Sequence, residues 1–194
     1  MEQIFARLKW LIPNKIVVLK NRYRKQMLYQ FKYQTPDGFN DLLMRSDGES
    51  LVGLWFENSV DAKKNILHCA EKDLPIFRET SRWLDEYFSG RQPDFTPQYK
   101  IENPTSFRRE VLDIVSDIPF GKTITYGEIA AKIAERHGIG KMSAQAVGGA
   151  VGWNPICLIV PCHRVVGANG KLTGYGGGIN NKIALLKLEG SLFP

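Results

Sequence analysis

The sequence predicts an α/β chain of the α+β type, in which a small antiparallel sheet with a helix precedes a helical region. Two observations predict this fold class. Short runs of strand-forming residues separated by turn residues come first, and apolar residues at helical spacing dominate the later part of the chain. A chain of 194 residues is long enough for two small domains.

Three strands and one helix are predicted for the N-terminal part. The strands cover residues 28–34, 39–45 and 51–56 and form an antiparallel meander, because turn residues separate them. Apolar residues then recur at helical spacing from about Pro75 to just before Gly90, and we expect this helix to cover one face of the sheet. The apolar residues are Ile76, Phe77, Trp83, Leu84, Tyr87 and Phe88.

The domain boundaries follow from a change in composition. Residues 91–97 are rich in proline and polar residues, and Pro104 follows them, which is typical of a linker. We therefore divide the chain into four parts. These are a basic extension at 1–25, an N-terminal α/β domain at 26–96, a linker at 97–104 and a second domain at 105–194.

Positive charge is unevenly distributed along the chain. The formal net charge is +6, and residues 1–25 contain seven basic residues and one acidic residue. Residues 105–194 contain 10 basic and 6 acidic residues, whereas the region between is net acidic. The C-terminal domain is therefore the better candidate for binding a polyanion. The extension is either a loosely amphipathic basic segment or an arm that grips phosphates.

The cysteines and the N-terminal hydropathy bear on location. Three cysteines without a disulfide-like spacing favour a reducing compartment, and we expect the cytoplasm. Lys9, Pro13 and Lys15 interrupt the apolar patches near the N-terminus, and no small-residue cleavage site follows. The sequence therefore predicts neither a signal peptide nor a membrane span.

A helix-turn-helix unit is predicted in the C-terminal domain. Thr125 and Glu128 form a capping box that starts a helix running to about Arg136. After a turn that contains two glycines, Ser143 caps a further helix over residues 144–150. Helix, turn and helix in this order resemble a helix-turn-helix.

Gly148 and Gly149 lie inside the second helix of this unit. A glycine within a helix costs about 1 kcal/mol relative to alanine, so a compensating reason is expected. Either a partner approaches the helix backbone closely, or the helix packs tightly within its own domain. The sequence leaves both interpretations open.

The remaining elements frame a candidate reactive residue. Residues 107–115 form an apolar stripe that predicts a helix at the start of the C-terminal domain. Residues 156–160 are an unbroken apolar run, so we expect a buried strand or extended segment that delivers Cys162 at its end. A glycine-rich loop at 167–178 then precedes a last amphipathic helix, which leads to Glu189.

Cys162 has three possible roles on residue chemistry alone. A free cysteine is often a small buried hydrophobe, and Cys162 next to His163 is a weak signal for a nucleophile. Cys157, Cys162 and His163 could also supply metal ligands, but a strand would point Cys162 and His163 to opposite faces and no fourth ligand lies nearby. We therefore expect no metal site.

The segment Asn-Pro-Ile-Cys-Leu-Ile-Val-Pro-Cys-His-Arg-Val-Val-Gly at 154–167 resembles the active-site segment of the 6-O-alkylguanine-DNA alkyltransferases, also called methylated-DNA-protein-cysteine methyltransferases. The resemblance continues at 118–130, 146–150, 174–178 and 185–190, so it covers about 106–190. Residues 26–96 resemble the family only in the order of strands and helix. The family implies a ribonuclease H-like N-terminal domain and a helical, winged-helix-like DNA-binding C-terminal domain.

The resemblance also implies a reaction and its residues. Cys162 is expected to take the alkyl group from 6-O-alkylguanine in DNA irreversibly, and His163, oriented by Glu189, to remove the thiol proton through a water molecule. Asn154 is expected to hold the hinge before the active-site segment, and Tyr126 to protonate the leaving guanine. The reaction requires no cofactor. Repair of 4-O-alkylthymine stays open.

The same resemblance assigns DNA-binding and pocket residues. The target base must be flipped out of the duplex, and Tyr175, Gly176 and Val165 are expected to line its pocket. The second helix is expected to lie in the minor groove of double-stranded DNA containing alkylated guanine. Its DNA-binding residues are Ser143, Ala144, Gln145, Ala146, Gly148, Gly149 and Val151, together with Arg164. We expect a monomer that does not bind membranes.

One position departs from the family pattern. An arginine usually precedes the Ala-Val-Gly-Gly run and fills the gap left by the flipped base, whereas Gln145 stands there in this chain. Glutamine can still form hydrogen bonds with the orphaned cytosine, but it carries no charge to attract the duplex. We therefore expect weaker flipping or a different lesion preference.

Three other functions compete with this interpretation. An alkyltransferase-like protein that only recognises lesions would lack the cysteine, so Cys162 argues against it. A transcription regulator of the two-function type would need a sensor domain with metal-binding cysteines, and residues 1–96 contain only Cys69. A cysteine hydrolase would need an oxyanion hole and a substrate cleft, for which the sequence gives no separate signal.

Overall fold

The computed structural model describes residues 27–65 and 69–191. The extension at 1–25 lies outside these residues. The N-terminal part contains strands β1 (Tyr29–Tyr33), β2 (Leu42–Ser46), β3 (Leu51–Phe56) and β4 (Ala70–Glu71), with helices α1 (Val60–Lys64) and α2 (Pro75–Phe88). The C-terminal part contains helices α3 (Ser106–Ser116), α4 (Tyr126–Arg136), α5 (Ala144–Val151) and α6 (Ile179–Leu188), with short strands β5 (Ile124–Thr125) and β6 (Val165–Val166).

The N-terminal strands form one sheet in the order β3-β2-β1-β4. The meander of β1, β2 and β3 is antiparallel, which confirms the prediction, and β4 adds a parallel pair to β1. In β2 the side chains alternate between buried and half-buried, as expected for a strand with one face in the core.

Helix α2 covers one face of this sheet, as predicted. Phe77 stacks on Phe31 of β1 with ring centroids 5.8 Å apart, and Phe88 stacks on Tyr33 at 6.2 Å. The helix begins with Pro75 in its first turn, where the missing N–H costs no helical hydrogen bond.

The outer edge of β3 joins the two halves of the chain. The main chain of Leu51 exchanges hydrogen bonds with Gln98 and Lys100, and that of Leu54 with Pro155 and Cys157. Residues 98–100, expected to be part of a linker, therefore pair with the sheet edge. The segment that precedes Cys162 is anchored to the N-terminal sheet by the same strand.

The capped helices of the C-terminal part follow the prediction. Thr125 accepts from the Glu128 N–H while the Glu128 carboxylate accepts from the Thr125 N–H, so the capping box is present. Ser143 caps α5 by accepting from the N–H of Ala146. Helices α4 and α5, with the turn between them, form the expected helix-turn-helix.

The prediction for residues 156–160 is wrong in one respect. These residues are mostly buried, as expected, but they form a tight turn instead of a strand. The N–H of Val160 bonds to the carbonyl of Ile156 at 3.0 Å, and Leu158 has a left-handed φ of 68°. Within the described part of the chain, only Ile156 keeps a strand partner, in a single bridge to Leu54, and the chain then turns back on itself. Cys162 therefore follows a turn and begins a short 3-10 helix at Cys162–Arg164.

A single cluster of buried apolar side chains extends through both halves and includes Phe56, Leu84, Val111 and Leu185. Burial of this apolar surface is the main stabilising contribution to the fold. Over residues 27–65 and 69–191, no helix is long and apolar enough to cross a membrane.

Candidate active site

Cys162 opens the short 3-10 helix and is held by the side chain of Asn154. The Asn154 Nδ2 donates to Cys162 Sγ at 3.1 Å and to the Val160 carbonyl at 2.8 Å, while its Oδ1 accepts from the Ile156 N–H at 3.0 Å. The buried side-chain amide of Asn154 thus forms hydrogen bonds with both the turn at 156–160 and the sulfur. A donor aimed at sulfur favours the thiolate over the thiol.

Burial opposes ionisation of this thiol. Burial raises the pKa of Cys162, and the hydrogen bond from Asn154 lowers it only in part. A neutral thiol is a poor nucleophile, so reaction near neutral pH requires a base that takes the proton.

His163, the next residue, has the arrangement expected of that base. Its Nε2 lies 2.7 Å from Glu189 Oε1, and neither side chain is exposed. Its Nδ1 is buried and has no hydrogen-bond partner among the described residues. Burial lowers the pKa of His163 more than the carboxylate raises it, so the imidazole is neutral at rest. With Nε2–H donated to Glu189, Nδ1 carries the free lone pair.

Glu189 follows the C-terminal end of α6 and accepts from several donors. Arg164 donates to both oxygens, from Nε to Oε2 at 2.9 Å and from Nη2 to Oε1 at 3.0 Å. The N–H of Gly121 donates to Oε2 at 3.2 Å. Burial alone would raise the pKa of Glu189, but His163 and Arg164 outweigh it and lower the pKa to about 2. The buried carboxylate is therefore ionised.

Gly121 can lie this close to Glu189 only because it has no side chain. Its φ is 73°, and a Cβ would lie 2.9 Å from the carbonyl oxygen of Glu189. The glycine of the Pro119-Phe120-Gly121 turn thus meets both a conformational and a steric requirement.

Arg164 does not lie where it was expected. We expected it to contact DNA, but its side chain is buried against Glu189, and its Nη1 donates to the carbonyl of Ile118 at 2.6 Å. Without Arg164 the charge of Glu189 would be buried without a cation, which is strongly destabilising. Arg164 therefore belongs to the interior of the site and compensates the charge of Glu189.

Tyr126 and the loop at 167–178 lie around the cysteine. Tyr126 is the first residue of α4 and is half-buried, and burial raises the pKa of its hydroxyl. A phenol that keeps its proton at neutral pH can act as a donor. Gly176 packs so closely on the carboxylate of Asp61 that a Cβ would collide with it, which explains a glycine at this point of the loop.

Val165 and Tyr175, both expected in the pocket, differ in their positions. Tyr175 is half-buried, and its hydroxyl lies beside the thiols of Cys157 and Cys162, where it partly offsets the effect of burial on the pKa of Cys162. Val165 is completely buried and pairs with Ile124 across β5 and β6. The side chain of Val165 therefore lies in the interior and does not face an open pocket.

Helix α5 presents one exposed stripe and one buried face. Ser143, Ala144, Gln145, Ala146 and Gly149 are exposed, whereas Val147, Ala150 and Val151 are buried. Val151 was expected to contact DNA, but helical periodicity places it on the core face. The two glycines also differ. A Cβ on Gly148 would lie 3.8 Å from the Tyr126 ring, whereas a Cβ on Gly149 would meet nothing within 4 Å.

Two family models match the chain. Residues 106–191 match the 6-O-methylguanine DNA methyltransferase DNA binding domain, and residues 27–100 match the ribonuclease-like domain of the same family. A methylated-DNA--protein-cysteine methyltransferase of Methanosarcina acetivorans is 42% identical over 166 residues, which cover 84% of this chain and 99% of that protein.

The chain belongs to the 6-O-methylguanine DNA methyltransferase family. A relative of the same name from Haemophilus influenzae is 37% identical and covers 84% of this chain and 86% of its own length. The crystal structure of Mycobacterium tuberculosis OGT in complex with DNA superposes with a TM-score of 0.68 at 37% identity, covering 85% of this chain and 93% of that chain. These matches confirm the family and the fold class, including the N-terminal part that resembled the family only in element order.

Two residues of the site were missed by the sequence analysis. Tyr87 was assigned only to the apolar stripe of α2, yet its hydroxyl lies 2.5 Å from Glu189 Oε1. Lys182, on α6, is completely buried and donates to the carbonyl of Val165 at 2.7 Å. A lysine within an apolar helical run was the one available signal for Lys182. For Tyr87 the pattern gave none, because its partner is 102 residues away.

Proposed function

We propose that this protein repairs DNA by transferring the alkyl group of 6-O-alkylguanine to Sγ of its own Cys162, once per molecule. The observation that carries the proposal is the chain of buried hydrogen bonds around Cys162. Asn154 donates to the sulfur, and the neighbouring His163 donates to an ionised Glu189 while its second nitrogen stays free. Family membership supports the substrate class.

Activation begins with the proton of the Cys162 thiol. It passes through a water molecule to Nδ1 of His163, and the imidazolium that forms is stabilised by the negative charge of Glu189. The thiolate that remains accepts the hydrogen bond of Asn154. The hydrogen bond from Asn154 and the nearby imidazolium offset the cost of ionising a buried thiol.

The displacement takes place at the alkyl carbon. The electron pair of Sγ forms the new S–C bond while the C–O6 bond breaks and its pair goes to guanine. Tyr126 donates a proton to the guanine as it leaves. The product is a thioether, which water does not cleave under cellular conditions, so the protein is consumed by a single reaction.

The exposed stripe of α5 is the proposed contact with the minor groove. Small side chains at Ala144, Ala146 and Gly149 let the helix approach the sugar-phosphate backbone, and Gln145 takes the position next to the vacated base. Recognition in this groove suits a lesion search that is largely independent of sequence. The net positive charge of residues 105–194 supports attraction to the duplex.

We also propose that the protein works in the cytoplasm. Cys69, Cys157 and Cys162 are all free thiols, which suits a reducing compartment.

Stoichiometry tests the function directly. Excess duplex containing 6-O-methylguanine is mixed with the protein, and restored guanine is counted after the reaction stops. One guanine per protein molecule is expected, and none for Cys162→Ala, whose binding to duplex serves as the folding control. Continued turnover, or repair by Cys162→Ala, would exclude this function. The same assay with 4-O-methylthymine measures the substrate range.

A further inference from the structure

Tyr87 brings a hydroxyl from the N-terminal domain into the centre of the site. It lies on α2 and has no exposed surface. Its hydroxyl is 2.5 Å from Glu189 Oε1 and 3.3 Å from His163 Nε2. The Tyr87 ring also packs edge-on against the His163 ring, with centroids 6.4 Å apart and an interplanar angle of 77°. Helix α2 therefore contacts both the proposed base and the residue that orients it.

The hydrogen atoms at this contact can be assigned by elimination. The hydroxyl of Tyr87 has one hydrogen and lies much closer to the carboxylate than to the imidazole, so it donates to Glu189 Oε1. The same oxygen accepts from Arg164 and faces Nε2 of His163 at 2.7 Å. Since an ionised carboxylate is only an acceptor, Nε2 must carry its hydrogen. This leaves Nδ1 as the basic nitrogen.

We propose that Tyr87 is a positioning residue for alkyl transfer, which fixes the Glu189 carboxylate and thereby sets the tautomer and the basicity of His163. Tyr87 does not touch the sulfur or the substrate in this arrangement and acts through Glu189. The proposal rests on the proposed roles of His163 and Glu189, and it makes the N-terminal domain part of the machinery that activates the cysteine.

The surrounding charges are compatible with this role. Arg164 faces Glu189 from the 3-10 helix, and Lys182 on α6 and the Cys162 thiol are the other ionisable groups that influence His163 or lie beside it. Burial and the nearby carboxylate raise the pKa of Tyr87 well above its usual value, so its hydroxyl remains a donor. A permanent donor takes up part of the negative charge of Oε1, which otherwise acts fully on the imidazole.

Replacing Tyr87 by phenylalanine removes the hydroxyl and keeps the ring. With one donor fewer on Glu189, the carboxylate raises the basicity of His163, so the acid limb of the rate profile moves to higher pH. Near neutral pH the single-turnover rate constant is expected to fall about tenfold, a fraction of what a proton-transfer group contributes. Affinity for duplex DNA should not change, because Tyr87 has no exposed surface and lies on α2, whereas the proposed DNA contact is the exposed stripe of α5.

Tyr33→Phe is a matched control within the same domain. The Tyr33 hydroxyl also donates to a carboxylate, Asp85 Oδ1 at 2.7 Å, but this pair is exposed. Both variants remove a tyrosine hydroxyl that donates to a carboxylate, so a rate loss specific to Tyr87→Phe separates the site from the domain as a whole, while thermal unfolding measures the stability that each variant loses.

Single-turnover rates from pH 5 to 9, thermal unfolding and DNA affinity are measured for wild type, Tyr87→Phe, Tyr33→Phe and His163→Gln. A slower rate with a shifted acid limb in Tyr87→Phe, and neither change in Tyr33→Phe, supports the proposal. If Tyr87→Phe keeps the wild-type rate and pH profile while His163→Gln is impaired, the proposed role of Tyr87 is wrong and that of His163 stands. If His163→Gln transfers at the wild-type rate, the proposed activation by His163 fails together with it.

Discussion

A substitution at Gly149 should change the stability of helix α5 and its proposed contact with DNA in opposite directions. It lies within an eight-residue helix, it is exposed, and an added Cβ would meet nothing within 4 Å. Tight packing therefore does not account for this glycine. Gly149→Ala should stabilise the fold, because alanine is favoured over glycine in a helix interior by about 1 kcal/mol.

The same substitution should weaken binding to duplex DNA. Gly149 and Gln145 are four residues apart and share the exposed stripe, so a methyl group at 149 occupies space that the sugar-phosphate backbone would take. A loss of about 1.4 kcal/mol corresponds to a tenfold higher Kd. The stabilisation should raise Tm by about 2–4 °C for a chain of this size.

Thermal unfolding and fluorescence anisotropy with an undamaged duplex measure the two effects on one protein sample. Ser81→Ala on α2 is the control, because it also improves helix propensity but lies in the N-terminal domain. It should raise Tm slightly and leave the Kd unchanged. If Gly149→Ala gains stability and binds duplex as tightly as wild type, the stripe is not the DNA contact.

Three further outcomes are expected. Gln145→Arg should raise the single-turnover rate on duplex severalfold, because a charged side chain fills the gap of the flipped base better; an equal or slower rate contradicts this. Arg164→Met should lower the free energy of unfolding by about 3–5 kcal/mol, because Glu189 then keeps a buried charge without its cation. Urea unfolding measures this loss, and a change below about 1 kcal/mol would contradict the expectation. Deleting residues 1–25 should flatten the salt dependence of DNA binding if the extension grips phosphates, and an unchanged slope excludes that role.

Much of the fold could be predicted from local signals. The capping box of Thr125 and Glu128, the Ser143 cap and the proline at the start of α2 all act through neighbours in sequence, and each of these elements forms as predicted. The apolar run at 156–160 led to the wrong prediction of a strand or extended segment, because a buried turn requires apolar residues as much as a buried strand does.

The residues of the site also differ in whether their neighbours in sequence predict them. Cys162 and His163 are adjacent in the chain, and the family motif points to both. Arg164 was expected at the DNA from the family resemblance, whereas its position depends on Glu189, which is 25 residues away. Tyr87 could not be found, since an aromatic residue in a helical stripe gives no sign that its hydroxyl meets a carboxylate from another domain.

Isotopic labelling tests most directly whether Cys162 accepts the alkyl group. A duplex carrying 6-O-[methyl-14C]guanine is reacted with the full chain, which is then digested, and the label is located by peptide mapping. We expect one label per molecule, all of it on Cys162 and none on Cys69 or Cys157. Because no lysine or arginine separates Cys157 from Cys162, fragmentation of their shared tryptic peptide assigns the label to one of the two residues. Label that stays on the DNA, or that is found on another cysteine, would contradict it.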